Sequence, residues 1–77
     1  MPHPEDANLA LGVAIRRIRE RRATTQEALA HEAQVTTGTL SKLERGQTTP
    51  TWSTVVKIAA ALGISLRDLG GEIEREP

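Results

Sequence analysis

The sequence predicts an all-α domain, and three observations carry that reading. Trp52 is the only aromatic among 77 residues, whereas strands favour aromatic and β-branched side chains. Apolar residues recur at helical rather than alternating spacing, as in Leu11, Ile15 and Ile18, or Val55, Ile58, Ala59 and Leu62. There is no cysteine, so no disulfide and no thiolate metal site stabilises the chain. A chain this short holds one core and buries only ~60% of the surface its unfolded form exposes. Compact helix packing, self-association or both must supply the rest.

The elements follow in order. Residues 1–8 hold Pro2 and Pro4 without a periodic pattern and are expected to form a flexible arm. A first helix is predicted over about Leu9 to Arg22, capped by Asn8 and closed by Arg21 and Arg22 at the negative end of its dipole. A second, short helix spans about Gln26 to Ala33. Thr25 caps it, Glu27 suits its first turn, and Leu29, Ala30 and Ala33 form its inner face. A third spans about Thr37 to Arg45 between the cap Thr36 and Gly46, with Leu40 and Leu43 facing inward. At 100° per residue, Gly38, Ser41, Lys42 and Arg45 point away from that face, while Glu44 falls on the inward side and needs a partner. A fourth helix covers about Trp52 to Leu62, from the cap Thr51 to Gly63. A fifth, about Leu66 to Leu69, starts with Ser65 and Asp68 at capping-box spacing and stops at Gly70 and Gly71. The domain is thus expected over 9–69, with a charged tail over 70–77.

Charge and composition exclude several classes. The most apolar stretch, Val55 to Ile64, is far shorter than the ~20 residues of a membrane span and contains Lys57. The acidic start has no apolar run and does not read as a signal peptide. A soluble, cytoplasmic protein is the expectation. The histidines, His3 and His31, have no neighbours that complete a ligand set, so no metal is expected, and His31 reads as a surface residue. No glycine-rich phosphate loop is present, and Ser41 has no histidine nearby in sequence to activate it. The chain is therefore not expected to be an enzyme or to need a cofactor. Net charge is zero, which by itself argues against a nucleic-acid binder. The distribution is less neutral. Residues 9–45 carry seven bases against four acids, while both flanks are net acidic. From charge alone, a solvated helix face is the better explanation.

The informative constellation is residues 26–45. Two short helices joined by about three residues pack near perpendicular. Ala30 supplies the small residue at their contact, Val35 the apolar plug of the turn, and Leu40 and Leu43 the buried pair of the second helix. This leaves the first turn and outer face of the third helix exposed, at a width that matches the ~12 Å major groove.

Over residues 11–69 the sequence resembles the helix-turn-helix domain of phage repressors and Cro, the xenobiotic-response-element-like group. The matching residues include Leu11-Gly12, Ile15-Arg16, Ile18-Arg19-Glu20, Thr25-Gln26-Glu27, Leu29-Ala30, Val35-Thr36, Leu40 through Gly46, Pro50, Ile58-Ala59, Ala61 through Ile64 and Asp68-Leu69. The resemblance implies a five-helix, lambda-repressor-like domain that binds double-stranded DNA as a transcriptional regulator, with the third helix in the major groove. It places Gln26 at a DNA phosphate. Thr36, Thr37, Gly38, Ser41 and Lys42 fall at positions facing base edges or flanking phosphates. Arg45, Gln47 and Thr48 fall where the following loop nears the backbone. Glu44 matches a residue that pairs with an arginine of the first helix, here Arg19, in a structural role. The length is similar to that of restriction–modification controller proteins.

Two departures from the family pattern matter. Gln34 stands where glycine is common, and a left-handed non-glycine residue costs ~1–2 kcal/mol. Gly38 stands where many relatives carry a long polar side chain, so direct readout is expected to lean on Lys42 and the threonines, with a share of shape readout. Trp52 could donate to a phosphate, but packing over the loop between the third and fourth helices is the better expectation. Ile64, Leu66, Leu69 and Ile73 can be read as core filling or as a two-fold interface. A homodimer on a palindromic site is expected, because a single module binds too weakly for useful specificity. No small-molecule ligand is expected. Two other classes stay open. One is an antitoxin-type protein that sequesters a toxin and autoregulates its operon, and the other is a protein-interaction module that has lost DNA binding.

Overall fold

The computed structural model describes residues 4–75. Five helices run in order: α1 (Pro4–Arg21), α2 (Gln26–Ala33), α3 (Thr37–Glu44), α4 (Trp52–Leu62) and α5 (Leu66–Arg75). No strand occurs among the described residues. Thr25, Thr36 and Thr51 cap α2, α3 and α4 as expected. Each sits in extended backbone and accepts a hydrogen bond from the N–H three residues on, which satisfies one of the orphan donors of a helix start. At the start of α5, Ser65 Oγ accepts a hydrogen bond from the Asp68 N–H at 3.0 Å. Every helix contributes to one core, in which Ile15, Leu29, Leu40, Leu43, Ile58 and Leu69 are essentially fully buried. α1 packs on α3 and α5, and α2 packs on α3 and α4.

Both outer helices are longer than expected. α1 starts at Pro4 rather than Leu9, so residues 4–8 of the expected arm are helical, and Asn8 is not a cap. Proline is tolerated in a first turn because its missing N–H would be unpaired there anyway, and Asp6 lies near the positive end of the helix dipole. Tertiary contacts hold this extension in place. Asn8 Nδ2 donates to Thr49 Oγ1 at 2.7 Å, and Leu9 lies directly against Gly46. Residues 1–3, with His3, and residues 76–77 lie outside the described residues.

At the other end, Gly70 and Gly71 do not stop α5, which continues to Arg75. Ile73 packs against the core, and Glu72 receives the Arg21 guanidinium at 2.9 Å. That hydrogen bond holds the Glu72 carboxyl below the usual carboxylate range. These contacts offset the ~1 kcal/mol that each glycine costs in a helix interior. A Cβ at position 71 meets nothing within 4 Å. Gly71→Ala should therefore stabilise the domain by about 0.5–1 kcal/mol, read as a higher urea midpoint. An unchanged midpoint would mean that α5 does not persist through this pair in solution.

Candidate nucleic-acid interface

α2, its turn and α3 form a tight corner built by the predicted residues. Gln34 adopts the left-handed conformation (φ 58°, ψ 40°) and closes α2 through its N–H. Val35 is half-buried, packs against the core and donates its N–H to the Ala30 carbonyl at 3.0 Å. Leu40, Leu43 and Glu44 turn α3 inward. The opposite flank of α3 is open: Thr37, Gly38, Lys42 and Arg45 are exposed and Ser41 is half-buried. A Cβ added at Gly38 would meet nothing within 4 Å. Arg45 is the cap that follows α3 rather than its last helical residue, and its Nε donates to the Ser41 carbonyl at 3.3 Å. Beyond it, Gln47 is exposed and Thr48 half-buried.

The threonines of α3 are not equivalent. Thr36 Oγ1 accepts from the Thr39 N–H at 3.0 Å and donates to Thr39 Oγ1 at 2.8 Å. The Thr36 hydroxyl is thus committed within the cap. Thr39, which the sequence reading left out, is exposed, and its own hydroxyl hydrogen is not used by this bond. The Thr-x-x-Thr spacing is the signal that could have found it.

Behind this flank lies the Arg19–Glu44 ion pair. Arg19 Nε and Nη2 meet Glu44 Oε2 and Oε1 at 2.8 and 3.0 Å. The side chains are 12% and 2% exposed. A bidentate fork of this kind pairs both carboxylate oxygens at once. The Glu44 hydrogen bond is the main reason the Arg19 guanidinium holds its proton even more tightly than usual. Arg19 Nη1 also donates to the Thr24 carbonyl at 2.9 Å, which ties the end of α1 to the turn before α2. Gln26 is half-buried, and its Nε2 donates to Glu44 Oε1 at 3.0 Å, a bond with no sequence signal of its own.

Other candidate residues fall elsewhere. Trp52 is not buried over the α3–α4 loop as expected. It is 69% exposed, at the first helical position after the Thr51 cap. Leu69 is 1% exposed and belongs to the core, so it has no surface to offer an interface. Ile64 and Ile73 are half-buried and pack on that same core, while Leu66 is 39% exposed. His31 is exposed, as expected. No helix among the described residues is long and apolar enough to cross a membrane.

Comparison with known proteins gives a consistent picture. The chain is 36% identical over 64 residues to the immunity repressor protein of Bacillus phage phi105. It is 36% identical over 55 residues to the HTH-type transcriptional regulator DdrOP3 of Deinococcus deserti. The matches cover 83% and 71% of this chain but only 44% and 43% of those proteins, so the chain spans less than half their length. Its structure is similar to that of the clp gene regulator ClgR from Corynebacterium glutamicum. The TM-score is 0.85 and the identity 32%, over 96% of this chain and 92% of that one. It is also similar to the restriction-modification controller protein C.AhdI from Aeromonas hydrophila. There the TM-score is 0.78 and the identity 29%, over 80% and 94% of the two chains. The helix-turn-helix family pattern matches residues 15–69, which takes in the core, the corner and the open flank of α3. The chain belongs to the helix-turn-helix family.

Proposed function

We propose that this chain binds double-stranded DNA as a transcriptional regulator, with α3 in the major groove and no catalytic role. The observation that carries the reading is the open flank of α3. Thr37, Gly38 and Lys42 stand clear of the protein's own chain on a helix whose other side is anchored by Leu40 and Leu43. Likeness to proteins described as repressors, regulators and controllers supports it. In this reading Lys42, Thr37, Thr39 and Ser41 face base edges. Thr36, whose hydroxyl is bonded to Thr39, suits a thymine methyl through its own methyl. Gln26, Arg45, Gln47 and Thr48 approach phosphates.

The protein acts in the cytoplasm as a homodimer on a palindromic site, with half-sites about one helical turn apart. Exposed Leu66 is the apolar contact available to such a pair at the start of α5. Selection of bound duplexes from a random pool tests the whole reading. A palindromic preference is expected, and Lys42→Ala should flatten it at one or two positions per half-site, at a cost of about 1–3 kcal/mol. A salt titration on generic duplex adds a second arm, since Z phosphate contacts give a log–log slope near −0.9Z. A flat titration would replace this reading with a protein-interaction module.

A further inference from the structure

We infer that Glu44, itself locked by Arg19, sets the orientation in which the Gln26 side-chain amide meets a DNA phosphate. This rests on the reading that the start of α2 faces the duplex. A carboxamide is nearly symmetric in shape but opposite in chemistry across its two ends, with a carbonyl oxygen that only accepts and a nitrogen that carries two hydrogens. Rotated by half a turn, it presents an oxygen where a donor is needed, and a phosphate repels it. An unrestrained glutamine samples both arrangements and must lose that freedom on binding.

Here the choice is made beforehand. An ionised carboxylate only accepts, and Glu44 Oε1 lies 3.0 Å from Gln26 Nε2. The flipped amide would set oxygen against oxygen at that distance. One hydrogen of Nε2 is spent on Glu44, and the second remains a donor. Glu44 cannot move to accommodate a flip, because Arg19 grips both of its oxygens and the side chain is 2% exposed. The same guanidinium holds the Thr24 carbonyl, so it fixes the residue preceding the Thr25 cap. Thr25 in turn receives the Ala28 N–H at 3.0 Å. The backbone and the side chain of the α2 start are therefore referenced to one buried charge pair, and Glu44 and Arg19 are positioning residues for a contact made by Gln26.

The test is a double-mutant cycle on affinity for a generic duplex, measured by fluorescence anisotropy well below the melting temperature of each variant. Gln26→Ala should weaken binding about ten- to a hundredfold, the range of one hydrogen bond to a charged group. Glu44→Gln, which keeps the size of the side chain but can offer its own N–H, should weaken binding several-fold in the parent chain. In the Gln26→Ala background it should change nothing further. Equal losses in both backgrounds, or no loss in the parent chain, overturn the inference. If Gln26→Ala itself binds like the parent, Gln26 makes no phosphate contact and the inference falls, while DNA binding through Lys42 stands. If the parent chain shows no salt-dependent affinity, the functional reading falls first.

A measurement on the unmutated protein covers the case in which Glu44→Gln fails to fold. The three glutamines are Gln26, Gln34 and Gln47. Nuclear magnetic resonance should show the Gln26 side-chain amide with one proton shifted downfield and slowed in exchange relative to those of exposed Gln34 and Gln47. Three alike amides would overturn the inference without any variant.

Discussion

Gly12→Ala should destabilise the domain by about 3 kcal/mol, the upper end of what overpacking costs. A Cβ at this position would lie 2.7 Å from the Glu44 carbonyl oxygen and closer still to that of Leu43. Both obstacles are backbone atoms of α3, so no side chain can swing aside. α1 would have to lift off α3 and loosen the contacts of Ile15, Leu40 and Leu43, all fully buried. For a chain of 77 residues the total stability is on the order of 4–12 kcal/mol, so the loss is a large fraction of it. Urea denaturation followed by circular dichroism measures it. Gly38→Ala is the matched control, since its Cβ meets nothing within 4 Å. Equal midpoints for Gly12→Ala and the parent would refute the close approach of α1 and α3.

The second large effect concerns the buried charge pair. Arg19→Ala should cost about 3–5 kcal/mol, because it strands a carboxylate away from water. Gln26 Nε2 is the hydrogen-bond donor that would remain on Glu44, and a neutral amide cannot replace a guanidinium. The variant also frees the Thr24 carbonyl. Arg19→Met combined with Glu44→Leu should recover most of the loss, since it removes both charges together and keeps the volume. If the double variant is as unstable as Arg19→Ala, packing rather than a stranded charge sets the cost.

Much of the corner was legible because its signals are local. Thr25, Thr36 and Thr51 each announce a helix start by the chemistry of one hydroxyl, and each caps the helix expected of it. Gln34 takes the left-handed conformation that its place in the turn demands. Glu44 was visible as an inward charge in need of a partner, and Arg19 is that partner.

What stayed hidden depends on residues far apart in the chain. The early start of α1 is fixed by Thr49 and Gly46, and no window around Asn8 contains either. The persistence of α5 through two glycines depends on Arg21 and on a core slot for Ile73. Ala23, with φ of 51°, ends α1 in a left-handed turn that composition does not mark, because alanine is the strongest helix former. In the candidate site, the outward flank followed from helical spacing, whereas the exposure of Trp52, the burial of Leu69 and the inward bond of Gln26 came only from packing.

The open space at Gly38 has an evolutionary consequence. A Cβ placed there meets nothing within 4 Å, while the scaffold beneath it is held by residues on the other flank. Under the proposed role, one codon could redirect the protein to a new operator while its fold, and therefore its ability to survive the change, stayed intact. Such a domain is well suited to duplicate and diverge, with recognition free to drift ahead of architecture.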